Sequence, residues 1–529
     1  MSAPLGSRLL RAAALIASIT VLARVAGFAR TIVFGRTVGS GCVGSVYQTA
    51  NTVPNIVFDL VAGGVLSALV VPILAPYFAA GDREAVSRTV SALLGWAMLV
   101  LVPAALLVAV LARSLVHGLL GGDQCAGAVA LGTRMLLVFA PQVVFYGLAV
   151  IISGALQAAE RFAWPALAPL VSSLVVIVGY LWYGALAGAG RDASGLPRVD
   201  ELVLSVGTTA GVVVLACCQL PALSRAGVRI RPTLRLPAGL APAARQAALA
   251  GTLVLGAQQL SSAVMIRLAN DGTSTGTVVV TTLAQTVFLL PWAVLAIPVA
   301  ISVFPQLAAA WDAGERAVVR ALTARSTAAV AGLSAVGTAA LVAAAEPVGN
   351  VLLAHNAPSH EALAPTIAAF AVGLIGWSLV ALFSRCLYAA RAPMPAAWAQ
   401  VAGQLVVVGV DVLLAVLVAA RWRAVSLALG NAVGVWLAVI MLAVVARRAG
   451  LLATLRTPAL DLGRAALAAM AGAATGWLVG RHAEGRDITV SVVFGLAAVV
   501  VAALVTGLAL IGTDGALRTQ LRARLGPTG

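Results

Sequence analysis

About fourteen stretches of mostly apolar residues, each near the twenty needed to cross a bilayer as a helix, follow one another with only short charged or Gly/Pro-rich breaks. Their approximate positions are 9–36, 46–78, 86–113, 126–158, 163–187, 201–224, 244–268, 277–310, 318–344, 362–389, 395–420, 424–446, 463–480 and 488–512. Only 10% of the 529 residues are charged, against about 25% in a soluble domain, and mean hydropathy is +1.03. The expected fold is therefore all-α and polytopic. In hydrocarbon a backbone must satisfy its own hydrogen bonds, and helices do so within each segment.

All the basic residues are arginine, and the formal charge is +16. They are spread through short loops, as in a protein held by an anionic membrane, so the charge does not argue for nucleic acid. Arg225, Arg229, Arg231, Arg235 and Arg245 cluster between the sixth and seventh segments. With the positive-inside rule that cluster places both termini in the cytoplasm of a multi-pass plasma-membrane protein. Arg8 and Arg11 precede an apolar run that Arg24 interrupts, so the first segment is read as an uncleaved span. His117, His355, His360 and His482 show no metal-ligand spacing, and no G-x-S-x-G, Walker A or H-E-x-x-H pattern occurs. With no nucleotide motif, an energy source is expected in the membrane potential or in an H+ or Na+ gradient, and no cofactor is expected.

The chain also repeats. Val71-Pro72-Ile73-Leu74-Ala75 with Gly81-Asp82-Arg83-Glu84 resembles Phe304-Pro305-Gln306-Leu307-Ala308 with Gly314-Glu315-Arg316, an offset of 233. Arg161 and Pro165 return as Arg391 and Pro395 at 230. Six spans per unit is even, so the halves share a topology and are expected to relate by a pseudo-two-fold along the membrane normal. The expected division is an N-lobe at 1–235, a C-lobe at 236–450, and two further spans with a cytoplasmic tail at 451–529.

Two arginines inside the first segment carry the functional argument. A guanidinium at membrane depth costs roughly 2.5–3.5 kcal/mol on the lenient insertion scale, so Arg24 and Arg30 need a wet cavity or an anionic partner. Six residues of helix turn the side chain by about 600°, or about 120° off a shared face. One cavity then holds both arginines only if it is wide or the helix bends, and Gly27 is the candidate bend. Pro54 and Pro291 are candidate breaks in the second and eighth segments.

Arg24-Val25-Ala26-Gly27-Phe28-Ala29-Arg30, then Ala50-Asn51-Thr52-Val53-Pro54-Asn55, then Val71-Pro72-Ile73-Leu74 resemble the opening of the MurJ/MviN lipid II flippase family. Gln157 to Pro169 and Arg385-Cys386-Leu387-Tyr388-Ala389 resemble that family's matching junctions in the two halves. The resemblance implies an inverted-V transporter with two alternately opening lobes. Its implied cargo is lipid II or a related polyprenyl-diphosphate glycolipid, with Arg24 and Arg30 on the diphosphate. Guanidinium forks suit that chemistry. It also implies a role in cell-wall synthesis, with membrane lipids and cell-wall synthesis proteins as partners.

The chain departs from that family where better-known members carry cavity charges. Ser45 stands for an acidic residue, Phe58 and Asp59 for an arginine pair, and Gln285 or Thr286 for an arginine in the eighth span. Arg134, Arg267 and the pair Gln258-Gln259 are candidate substitutes, together with Asn55. Asp59 is expected to pair with an arginine, to titrate in ion coupling, or to sit hydrated at a cavity mouth. Arg134 is alternatively expected to snorkel to a headgroup. Cys42 and Cys125 fall in two outer loops and are either disulfide-bonded or free, while Cys217, Cys218 and Cys386 read as buried in spans. Three other readings stay open: a flippase for another glycolipid, a drug or cation antiporter of the same superfamily, and a non-transporting scaffold or regulator.

Overall fold

The computed structural model describes all residues except 1–2, 123–124, 187–192, 232, 235–241, 272–275, 354–359 and 514–529. The side chains of 3–17, 62–69, 242–248 and 513 are also outside it. The expectations on Arg8, Arg11, Arg235, Arg245, His355 and the C-terminal tail lie outside the described residues.

Every predicted segment is helical, and no strand occurs among the described residues. In chain order the helices are α1 (Ala3–Thr37), α2 (Cys42–Phe58), α3 (Gly64–Ala79), α4 (Arg83–Val110) and α5 (Ala112–Leu120). Then come α6 (Ala128–Phe139), α7 (Gln142–Ala158), α8 (Ala163–Leu186), α9 (Arg198–Cys217) and α10 (Leu220–Arg225). Next are α11 (Pro242–Ala269), α12 (Thr277–Pro291), α13 (Ile297–Asp312), α14 (Arg316–Leu352) and α15 (His360–Ala371). The last are α16 (Leu374–Ala389), α17 (Pro393–Leu417), α18 (Arg423–Arg448), α19 (Arg456–Gly480) and α20 (Ile488–Thr513). Among the described residues 12 helical rods are long and apolar enough to span a bilayer, and 13 if the bent pair α15–α16 is one span. The expected second span is α2 and α3, joined by a π turn at Asp59–Gly63. The molecule is a multi-pass membrane protein.

The chain forms two compact units, Met1–Val279 and Val280–Gly529. The first therefore runs one span past the expected lobe boundary at 235, because α11 packs on α3, on the π turn and on α5. Its apolar core joins Phe58, Leu74, Val90, Leu101, Val143 and Ile151. That of the second joins Leu307, Val330, Leu379, Phe383, Leu387 and Leu442. Within the second unit, α19 and α20 lie on α14 through small residues. A Cβ added at Gly476 would stand 2.6 Å from the Ala343 methyl and 2.8 Å from that of Ala502. Such close backbone approach is how helices associate in lipid, where burial from water gives no drive.

The internal repeat is written into the backbone. After α3, Gly81 N–H bonds Phe78 O and Asp82 N–H bonds Tyr77 O; after α13, Gly314 N–H bonds Trp311 O and Glu315 N–H bonds Ala310 O. The two turns are 233 residues apart, with Gly81 and Gly314 at φ 70° and 75°. These are Schellman endings, whose left-handed residue lets the chain reverse while capping the last carbonyls. The turns after α10 and α18 match in the same way, around Gly227 and Gly450. The π turns obey the same register, because Asp59–Gly63 and Trp292–Ala296 also stand 233 apart.

After α7 and α16 the left-handed residues are Glu160 and Arg391, at φ 58° and 57°. That register is 231. The sequence match of Arg161 with Arg391 at 230 is thus displaced by one residue, and Glu160 occupies the place of Arg391. A non-glycine residue in this conformation is held against its own Cβ. Glu160→Gly is expected to stabilise the first unit by about 1 kcal/mol, read as a raised unfolding midpoint in detergent.

Candidate functional site

The residues brought together lie in the first unit, around Tyr146 of α7. Asn51, Asn55 and Asp59 recur every fourth residue, so α2 presents one polar stripe as it enters the π turn. Asn55 donates from Nδ2 to Asn51 O at 3.1 Å and lies near enough to the Tyr146 phenol to act on it. Gln259 of α11 donates from Nε2 to Asp59 Oδ2 at 2.8 Å. Asp59 is half-buried and makes no ion pair among the described residues. The expected pairing with Arg24 or Arg30 is therefore not seen; a carboxamide holds the carboxylate instead.

Arg30 approaches the same place from α1. Its charge reaches Tyr47, Tyr146 and Tyr180, and Asp59 also acts on Tyr146. The tyrosines form a fixed floor. Tyr47 Oη lies 2.8 Å from Tyr180 Oη and 2.7 Å from Thr208 Oγ1, and the Tyr47 ring meets Phe34, Phe139 and Tyr180. Phenol hydroxyls bonded to each other stay put, so the tyrosines present oriented dipoles within reach of the Arg30 charge. Arg30 has no ion pair or hydrogen bond among the described residues, and its side chain is exposed. Arg24 is also exposed and without such a partner. It sits six residues back on α1 and is not brought to the Tyr146 cluster. Beside that cluster Phe58 and Tyr146, with ring centroids 5.9 Å apart, line a cavity of about 330 Å³ that Ser153 and Gln157 also border.

Of the three suggested helix breaks, those at Gly27 and Pro54 are absent. α1 is unbroken through Gly27, whose carbonyl accepts the Thr31 hydroxyl at 3.1 Å. α2 is unbroken through Pro54, and the widened turn starts five residues later at Asp59. Pro291 does stand directly before a π turn, Trp292–Ala296. Since the equivalent turn in the first unit follows Phe58, the turn belongs to the repeat and not to the proline. A π turn exposes carbonyls and re-aims side chains, and here the residue it re-aims is Asp59.

Several candidates stand elsewhere. Gln258 is half-buried with no hydrogen-bond partner among the described residues. Arg267 lies two turns along α11 from Gln259, 3.2 Å from Asp271 and against Gly121. Next to it Asn270 donates to Thr49 Oγ1 at 2.9 Å and to Leu119 O at 3.2 Å, so this end of α11 is latched to α2 and α5. Arg134 is neither snorkelling free nor held for cargo: its guanidinium clasps the buried Glu201 carboxylate, with Nη2 to Oε2 at 2.7 Å. Gln285 and Thr286 belong to the second unit, where Thr286 Oγ1 donates to its own helix at Thr282 O. Cys42 and Cys125 are disulfide-linked, Cα atoms 6.3 Å apart. Cys386 is buried, but Cys217 is exposed and Cys218 half-exposed, so those two are not the buried pair the sequence suggested.

Sequence reasoning missed three side chains. Tyr146 and Tyr180 read as ordinary aromatic residues of apolar spans. Asp411, buried on α17 of the second unit against Gly430, has its Oδ1 without a hydrogen-bond partner. The four-residue spacing of Asn51, Asn55 and Asp59 was the available signal for the Tyr146 site.

Comparison with known proteins agrees with this architecture. The family model described as "Lipid II flippase MurJ" matches residues 34–497. A probable lipid II flippase MurJ of Vibrio cholerae is 28% identical over 240 residues, 42% of each chain. One of Rhizobium meliloti is 25% identical over 395 residues, 72% of this chain and 71% of that one. The chain thus spans less than half the length of the Vibrio relative. Among solved structures, a lipid II flippase MurJ in an inward closed conformation superposes with TM-score 0.71 at 16% identity, covering 94% of this chain and 99% of that one. An inward-facing multidrug resistance MATE family transporter gives 0.65 at 16%, covering 85% and 99%. Both show the fold. With a family model matched over most of its length, this chain belongs to the lipid II flippase MurJ family.

Proposed function

We propose that this protein flips lipid II, an undecaprenyl diphosphate carrying a disaccharide-peptide, from the cytoplasmic to the outer leaflet for cell-wall synthesis. The observation that carries the reading is the unpaired Arg30 beside the hydroxyl floor of Tyr47 and Tyr180, with Arg24 on the same helix. A guanidinium without a protein counter-ion at membrane depth is stable only if water or a cargo anion completes it. A diphosphate does so with two charges and forked acceptors. The step is transport and not bond chemistry: the headgroup enters the site from one face, the arginines hold it, and alternating access releases it to the other.

The membrane is the bacterial plasma membrane with both termini cytoplasmic, a reading supported by the arginine-rich loop at 225–245. The driving force is the membrane potential or an H+ or Na+ gradient. Membrane lipids, and cell-wall synthesis proteins at the cytoplasmic loops, are the partners in this reading. The test is depletion of the protein in its own cells, followed by labelling of lipid II at the outer surface. Loss of labelled lipid II, restored by re-expression, is the expected result. Unchanged labelling after depletion overturns the proposal.

A further inference from the structure

We propose that Asp59, Gln259 and Tyr146 form a sugar subsite beside the diphosphate, one that selects glycosylated cargo over the bare lipid. The inference rests on the flippase reading and adds to it the part of the cargo that these three side chains take.

A carboxylate in a site built for a diphosphate is at first sight a defect. Like charges repel strongly where water is thin. Asp59 would be harmless if it were neutralised by Arg30, yet it makes no ion pair among the described residues, and both charges act on Tyr146 from separate positions. Instead the Gln259 carboxamide donates to Oδ2 at 2.8 Å, which fixes the carboxylate plane. That leaves Oδ1 and Gln259 Oε1 as acceptors with no donor among the described residues. Two acceptors on side chains tied together by one hydrogen bond suit the hydroxyl donors of a sugar. They do not suit a phosphate, which has no hydrogens to give.

The neighbouring surface fits the rest of a pyranose. A sugar ring has a polar edge and a C–H face, and the face packs on aromatic rings. Tyr146, half-exposed and backed by the buried Phe58 ring, supplies such a ring, and both border the cavity of about 330 Å³, at the small end of the range for ligand pockets. The Tyr146 ring is held by the packing of Phe58 against it, ring centroids 5.9 Å apart. Arg30, which makes no ion pair among the described residues, is left free for the phosphates. A polar site built to pair with hydroxyls also rejects ligands that lack them, because its acceptors are then left unpaired.

The test measures binding of two probes to the full-length protein in lipid nanodiscs: undecaprenyl diphosphate, and the same lipid bearing the disaccharide without its peptide. The wild-type protein is expected to hold the glycosylated probe at least about tenfold more tightly. Asp59→Asn is expected to remove that preference, leaving undecaprenyl diphosphate bound as before or more tightly. Gln259→Ala, which leaves the carboxylate charge in place but frees it to rotate, is expected to lose part of the preference. If Asp59→Asn and Gln259→Ala weaken both probes alike, or neither, the subsite is overturned while the diphosphate site stands. If the wild-type protein binds neither probe, the flippase reading falls and the subsite falls with it.

Discussion

Replacing Arg24 and Arg30 together by alanine is expected to lower lipid II translocation by at least about a hundredfold while the protein still reaches the membrane in normal amount. Charge-assisted hydrogen bonds contribute about 1.5–3 kcal/mol each. Losing them at two guanidiniums therefore removes roughly 3–6 kcal/mol of cargo stabilisation. Nothing in the protein opposes the change. Neither arginine has a hydrogen bond or ion pair among the described residues, so their removal orphans no partner. Alanine is also the better helix former, and the insertion cost of two charges at membrane depth disappears. Loss of transport with full expression is thus the signature of a ligand role. Transport assayed in proteoliposomes, alongside quantified membrane content, separates this from a folding defect. Normal transport by the double variant contradicts the role.

Arg134→Ala is expected to do the reverse and to act through stability. Glu201 is 6% exposed and its carboxylate accepts three guanidinium hydrogen bonds. Removing the arginine strands a buried charge at the junction of α6 and α9. Breaking a buried pair costs 3–5 kcal/mol, and about 3 is expected here, because the Arg134 side chain is 38% exposed and partly screened. The protein should show a lowered unfolding midpoint and reduced membrane content. The double variant Arg134→Leu with Glu201→Leu should recover much of the loss, since it leaves no charge behind. An Arg134→Ala protein as stable as wild type but deficient in binding would return Arg134 to the list of cargo contacts.

The contrast between these arginines shows how far the sequence could be read. Transmembrane segments were legible to within about eight residues at their ends because long apolar runs bounded by charge admit few other folds. The repeat was legible at Gly81 and Gly314, where a left-handed turn demands glycine in both halves. It was misplaced by one residue at Arg391, because Glu160 adopts the same conformation without being glycine. Arg134 was ambiguous for a different reason: its partner is 67 residues away, and only the packing of α6 on α9 brings Glu201 to it. The same holds at Asp59. Its position in a π turn follows from how α2 and α3 are held, and no local signal in Asp59-Leu60-Val61-Ala62-Gly63 announces a widened helix. Gly27 and Pro54 did announce breaks, and the helices pass straight through them. A proline costs one hydrogen bond, and α2 continues through Pro54 despite it.

The central claim is that Arg30 holds a diphosphate in a hydrated site next to Asn55, with Arg24, six residues back on the same helix, meeting the cargo outside the Tyr146 cluster. It is tested most directly by thiol labelling of Asn55→Cys, with Cys217, Cys218 and Cys386 replaced and both arginines kept. A charged, membrane-impermeant thiol reagent should modify Cys at position 55 readily, and added lipid II should slow the reaction at least about tenfold. In the Arg24→Ala, Arg30→Ala background the labelling should persist and the protection vanish. No labelling at position 55, or equal protection with and without the two arginines, contradicts the account.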